Sequence, residues 1–440
     1  MAEIAPFRGI LYDTSRVEAS RVLAPPYDVI DEPERQELLA RDPHNAVRLI
    51  LPEGQGDEKY GHAARVLDGW LADGVLRRDQ RPALYRYHQV FTSAELGGRP
   101  VTRRGFIAAA RLHRFDERIV LPHERTLSGP KADRLKLMDA TGAHFSQIFT
   151  LYSDPAGEAD RAFARAERQP PTIDATSADG TRHVLWRVDD AEVIGRVVHV
   201  LAPLKLYIAD GHHRYETMLA LRERMRERAG GALESRSTAE FGTLFLCNMD
   251  DPGLVVLPIH RLVFGLASFQ ADDFLARIRT WFDVEPLAGA ARDAAAVRSA
   301  LAEASRHQPS VVAAFPGRDP VLLSLRHDMS PAKAGVAGAP AVSGLDVSVL
   351  HGVILEQALG IDRAAQEAQT HIEYVKDTAK ALARAAAGEG QVAFLMHPTR
   401  VEQVKAVADI GEFMPQKSTF FYPKIASGAV INPIRPDETL

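Results

Sequence analysis

The stretch Leu206-Tyr207-Ile208-Ala209-Asp210-Gly211-His212-His213-Arg214-Tyr215-Glu216-Thr217 restricts the fold more than any other part of the chain. Leu204 to Ala209 is a short, mostly apolar run with a β-branched residue, and Tyr215, Met218, Leu219 and Met225 then recur at helical spacing. The chain must turn sharply between them, and Gly211 permits the positive φ that such a turn takes. The expected product is a buried strand, a tight Asp-Gly turn and a helix. The first N–H groups of that helix have no partners within it and attract anions. His212, His213 and Arg214 add side-chain donors beside those amides, and Asp210 is placed to orient a histidine or hold a divalent ion.

Other readings of these residues stay open. In one, Asp210 caps the helix, one histidine packs and Arg214 pairs with Glu216. In another, the histidines bind a transition metal, although adjacent helical residues diverge by about 100° and chelate less readily than an i, i+4 pair.

Two further segments carry candidate chemistry. In Met414-Pro415-Gln416-Lys417-Ser418-Thr419-Phe420-Phe421-Tyr422-Pro423-Lys424, two lysines flank two hydroxyls and three aromatics. The G-x-x-x-x-G-K spacing of a phosphate loop is missing, so a Walker-type fold is not expected, while lysine as a point charge on phosphate remains. The alternative is an edge strand with solvated lysines. His123-Glu124-Arg125-Thr126, followed by Lys131, Asp133, Arg134 and Lys136, has a positive excess suited to phosphate. There Glu124 would act as a base or hold a metal, and the alternative is a loop ion-pair network. Pro25-Pro26-Tyr27-Asp28 reads as a rigid turn that lines a pocket or is simply a turn. His260-Arg261 and Asp346 with His351 are explained by core or capping roles.

At 440 residues the chain is long enough for two to three lobes. Ala83 to Phe91 and Phe106 to Leu112 read as a hairpin. Ala271 to Ala304 reads as two helical stretches around a short strand. In the last hundred residues, helices at Asp346 to Leu359, Asp377 to Ala387 and Arg400 to Ile410 interleave with strands Ile372 to Val375 and Gln391 to Met396. Asp154 to Gly180, Ala229 to Thr238 and Pro316 to Gly344 read as linkers, the last separating a C-terminal unit. The expected fold class is α+β or mixed α/β, multi-lobed with mixed sheets. Its expected divisions are an N-terminal α/β lobe at 1–155, a core segment with the Asp-Gly-His-His-Arg motif at 156–265, an accessory α+β lobe at 266–335 and a C-terminal α/β unit at 336–440.

A formal net charge of -5 and a pI near 6.4 argue against a protein that coats nucleic acid. The single cysteine, Cys247, excludes an internal disulfide and Cys-rich zinc sites. No secretory leader pattern or membrane-length apolar run is read, so a cytoplasmic location without membrane partners is expected.

Taken together, Pro25 to Ile30, His123 to Thr126, Ala209 to Thr217 and Met414 to Lys424 resemble the bacterial and archaeal family labelled domain of unknown function 1015. Asp210-Gly211-His212-His213-Arg214 is similar to the motif of the ParB/sulfiredoxin-like fold, which includes free-serine kinases. That second resemblance implies a ParB-like, serine-kinase-like core, with nucleotide or pyrophosphate bound where the helix begins near His212 and Mg²⁺ bridging phosphates. Sulfiredoxin chemistry needs a reactive cysteine beside the loop, and Cys247 is not near Gly211 in sequence.

The leading expectation is a Mg²⁺-dependent kinase that phosphorylates a small-molecule hydroxyl, with free L-serine as best acceptor and pyrophosphate, ADP or ATP as donor. Glu124, Asp210 and His212 would be catalytic. His213, Arg214, Lys131, Arg134, Lys417, Ser418, Thr419 and Lys424 would hold the donor's phosphates, and Asp210 and Glu124 would meet the metal. The rival expectations are a nucleotide-binding regulatory switch and a metal-dependent hydrolase using Asp210, His212 and His213. No nucleic-acid partner is expected, and a homodimer stays an option.

Overall fold

In the computed structural model, which describes residues 1–126, 129–290 and 293–440, nine of the strands between Ile4 and Asn248 pair into one mixed sheet. Its order is Val120–Leu121, Leu206–Asp210, Ile148–Tyr152, Phe241–Asn248, Val101–Arg111, Leu84–Phe91, Arg182–Val188 and Ile173–Thr176, with Ile4–Ala5 beside Val101–Arg111. Neighbours are antiparallel except where Leu206–Asp210 meets Val120–Leu121 and Phe241–Asn248 meets Ile148–Tyr152. The pleat explains why Phe241–Asn248 is buried throughout. Phe241, Phe245 and Cys247 feed one apolar cluster, while Leu244 and Leu246 feed a second. The second cluster includes Val197 and Leu201 of helix Ala191–Leu201 and Tyr215, Met218 and Leu221 of helix His212–Arg228.

The first cluster continues into another sheet through Val263, Phe394 and Met396. That sheet runs Phe282–Pro286, Val321–Leu325, Ser310–Ala314, Val392–Met396, His260–Val263 and Ile372–Val375, with every neighbouring pair antiparallel. The chain is therefore mixed α/β and built on two principal sheets. Among the described residues, no helix is long and apolar enough to cross a membrane.

The local readings hold in position: the hairpin is Leu84–Phe91 with Val101–Arg111, and the strand-turn-helix is Leu206–Asp210 with His212–Arg228. The sheets do not follow the division at 155, 265 and 335: strands from 1–155 and 156–265 interleave within one sheet, and strands from 266–335 pair with those after 336. The linker reading of Pro316 to Gly344 fails for the buried strand Val321–Leu325, and that of Asp154 to Gly180 fails for Ile173–Thr176. Both stretches were read from their Gly, Pro and Ser content, which outnumbered the short apolar runs inside them.

The C-terminal segment then crosses back. Phe420–Tyr422 pairs with Val255–Leu257, Ser427 bridges to Ala24, Ile431 to Ile10, and Asn432–Pro433 pairs with Ala143–His144. This return carries the lysines of the C-terminal loop over the end of strand Leu206–Asp210. Phe421 fastens it, being 1% exposed with its ring 5.5 Å from Phe149. Phe421→Ala should cost about 3–5 kcal/mol, read as a lower midpoint in urea unfolding; an unchanged midpoint would show that the tail is not anchored there.

Candidate functional site

Strand Leu206–Asp210 ends at a carboxylate, and Gly211 turns the chain into the helix with φ +96. Glycine is required twice over: the φ is left-handed, and a Cβ there would stand 3.0 Å from the Arg214 guanidinium. Arg214, one helical turn on, donates through Nη2 to Asp210 Oδ2 at 2.8 Å and through Nη1 to the Gln147 carbonyl at 2.9 Å. The other carboxylate oxygen, Oδ1, accepts from the Nζ of Lys424. Burial opposes ionisation of Asp210, but Lys424 and then Arg214 prevail and hold its carboxyl well below the usual carboxylate range.

A proton-ordered chain lies beside this pair. His123 is buried, and its Nδ1 is 2.8 Å from the Ile208 carbonyl, which only accepts, so Nδ1 carries the proton. Its Nε2, 3.0 Å from Thr419 Oγ1, then accepts the hydroxyl proton. Thr419 Oγ1 also lies 3.5 Å from Glu124 Oε1, at the outer limit of hydrogen-bond distance. Burial lowers His123 to about 4 and raises Glu124 to about 7, the latter against the pull of Lys424 and Lys417. His212 Nε2 accepts the His123 amide at 3.3 Å, and the two rings meet edge to face at 4.7 Å. Burial and then His123 keep His212 neutral by pushing it well below its ordinary value.

The three separated sequence clusters thus come together. Glu124 feels Lys424, Lys417 and Asp210; His213 feels Lys131, Glu216, Asp28 and Lys417. His213 is half-buried at the helix start, and burial followed by Lys131 lowers its pKa. Lys131 donates to Thr126 Oγ1 at 2.8 Å and pairs with Glu216 on the flank of the helix. Lys417 is exposed, at φ 56, with its carbonyl held by Arg261 Nη2 at 3.0 Å.

Arg214, His212, Arg134 and Ser418 stand behind this face rather than on it. Arg214 and His212 are engaged as described. Arg134 is buried, bonds the Ile50 carbonyl and Asp133, and lies 4.4 Å from the Tyr27 ring centroid, where it shapes the Pro25 to Asp28 turn. Ser418 is buried with Oγ on the Pro415 carbonyl at 2.5 Å. Among the described residues no group of three His, Cys, Asp or Glu side chains could hold a metal ion, so the hydrolase trio Asp210, His212 and His213 does not assemble.

Sequence reasoning missed Lys376 and Arg103, and gave Arg261 only a core or capping role. Lys376, just past strand Ile372–Val375, brings its ammonium 4.3 Å from the Phe420 ring centroid. Its pKa is lowered by burial and then by Lys424 and Lys417. Nothing in its sequence neighbourhood marks it, since its relation to the site arises from packing between the sheets. Buried Arg103 binds the carbonyls of Tyr422 at 3.2 Å and Pro423 at 2.5 Å, stacks on Phe149 at 4.5 Å, and is lowered by burial to about 10. Arg261 holds the other end of the loop. Neither basic residue is marked in sequence as an internal brace. Cys247 is buried in the sheet and raised by burial well above the usual thiol range, so it supplies no reactive thiolate.

A carboxylate against a helix start with clustered lysines gives this α/β protein a locally cationic face, of the kind that favours anions. The chain belongs to the family described as protein of unknown function, DUF1015, whose model matches residues 4–348. No curated protein matches it. Solved structures with distant similarity include a free serine kinase mutant in complex with AMP, at 11% identity and TM-score 0.35, covering 74% of this chain and 91% of that one. A conserved hypothetical protein from Pyrococcus furiosus is 12% identical with TM-score 0.32, covering 73% and 93%. SbnI with a C-terminal truncation from Staphylococcus aureus is 10% identical with TM-score 0.32, covering 74% and 82%.

The Glu124 shift fixes a stability trend. Its folded value of about 7 exceeds the ordinary 4.5, so the folded state binds the proton more tightly and loses stability as pH rises through that window. Glu124→Gln should therefore melt at a higher temperature than the native chain at pH 8 and show a smaller decline between pH 5 and pH 8. Parallel melting profiles for the two proteins would contradict this.

Proposed function

We propose that the protein is a phosphotransferase that moves a phosphoryl group from pyrophosphate or a nucleotide to the hydroxyl of a small molecule, with free L-serine the first acceptor to test. The observation that supports it most is charge imbalance. Among the described residues the ammoniums of Lys376 and Lys417 make no ion pair, while Lys424 has Asp210, and Lys376 feels both of the other lysines. Phosphoryl transfer asks mainly for neutralisation and in-line positioning, which such a cluster supplies.

Glu124 is the base in this reading. Near neutral pH a substantial fraction of it is ionised, so it can take the acceptor's hydroxyl proton as the new O–P bond forms and the bond to the leaving phosphate breaks. Lys417 and Lys376 hold the donor, and Lys424 exchanges Asp210 for a phosphate oxygen. His213 and the amides at the helix start complete the cradle, with Lys131 and Thr419 beside it. Arg214 keeps Asp210 in place, His212 and His123 shape the loop carrying Glu124, and Arg134 and Ser418 support the surrounding turns. Magnesium would be carried by the donor's phosphates, with Asp210 available to hold it once Lys424 is drawn away; it would neutralise charge on the transferred group.

Incubation with Mg²⁺, L-serine and each of pyrophosphate, ADP and ATP, followed by phosphorus NMR, should show a new phosphate monoester with at least one donor. No donor consumption across a panel of hydroxylated metabolites would overturn the reading. Lys417→Ala should slow transfer by roughly tenfold or more. The native rate should rise with pH through about 7 as Glu124 ionises, and Glu124→Gln should lose roughly 100-fold or more together with that pH limb. A normal rate in either variant would remove its residue from the mechanism.

A further inference from the structure

Beside the cationic face lies a cleft of 230 Å³, walled by Pro25, Pro26, Val29, Phe420 and Tyr422. Lys376 and Lys424 line the same cleft, with their ammoniums 4.3 and 5.4 Å from the Phe420 ring centroid. It is therefore continuous with the Asp210 site, to which Lys424 is bonded. Val29, at its mouth, is 37% exposed, one of three large hydrophobic residues left exposed among the described residues.

Inorganic pyrophosphate could meet the lysines but would leave these apolar walls in water. Proline and aromatic side chains lose little freedom on binding and form a slot that is rigid beforehand. A flat ring joined to phosphates would cover the apolar atoms while its charged end lay on the ammoniums. Glu34 and Asp179, also lining the cleft, provide carboxylate oxygens that can accept from a ring amine.

We propose that this cleft takes the nucleobase of a nucleoside phosphate whose phosphates rest on Lys376, Lys417 and Lys424, so that the donor is a nucleotide rather than pyrophosphate. This rests on the phosphotransferase reading and narrows its donor.

Ala178, exposed on the cleft wall, and Val29 allow a test away from the lysines. Binding of ADP and of pyrophosphate, each with Mg²⁺, is measured by calorimetry on the native chain, Ala178→Trp, Val29→Asp and Lys417→Ala, with thermal melts to confirm folding. The expected result is ADP binding weakened roughly tenfold or more in Ala178→Trp and Val29→Asp, pyrophosphate binding unchanged in both, and both ligands weakened in Lys417→Ala. Native-like ADP binding in both cleft variants would overturn the proposal. If pyrophosphate alone binds and supports phosphoryl transfer, the cleft proposal falls and the phosphotransferase stands. If neither ligand binds and no donor is consumed, both fall.

Discussion

The ion pair between Asp210 and Lys424 joins positions 214 residues apart and organises the site around it. One partner ends a buried strand, and the other arrives on a C-terminal segment that pairs with Val255–Leu257. A buried carboxylate without cations would be strongly disfavoured, so Asp210 depends on Arg214 from its own helix and on Lys424 from the returning tail. The braces on that tail follow the same logic. Arg103 and Gln89 from the first sheet bind backbone carbonyls at Tyr422, Pro423 and Lys424, and Arg261 from the second sheet binds that of Lys417. The loop is thereby fixed at both ends by different sheets through its backbone, so its lysine side chains are not needed to anchor it.

The same arrangement separates residues that can touch a ligand from those that hold others in place. Arg214 and His212 have the right chemistry for phosphate but point at Asp210, Gln147 and the His123 amide. Thr419 stands against both the His123 ring and the Glu124 carboxyl and so ties that segment to the C-terminal loop. Burial acts on the groups unequally: it keeps both histidines neutral, raises Glu124 and leaves Asp210 charged because that carboxylate alone has two direct cationic partners.

What could be read from the sequence was what local rules decide. Gly211 between an apolar run and a helical period locates the turn, and the strand Ile372–Val375 falls where it was expected. The division into lobes was not legible, because Arg182–Val188 and Phe241–Asn248 choose partners far away in sequence, and pairing of that kind leaves no local mark. For the site, residue type was informative and direction was not. Lys417, Lys424, Glu124 and His213 gather, which no local pattern shows, Arg134 and Ser418 turn inward, and Lys376 enters from a strand end with no motif around it.

The central claim is that Lys376, Lys417 and Lys424 together receive a phosphorylated ligand. Amine-selective acetylation read by mass spectrometry, with and without saturating ADP or pyrophosphate, tests it on the native chain. The account predicts that all three lysines are protected by at least one of these ligands while Lys333, at the Asp328 carbonyl, reacts unchanged. Equal labelling of the three in the presence and absence of both ligands would contradict it.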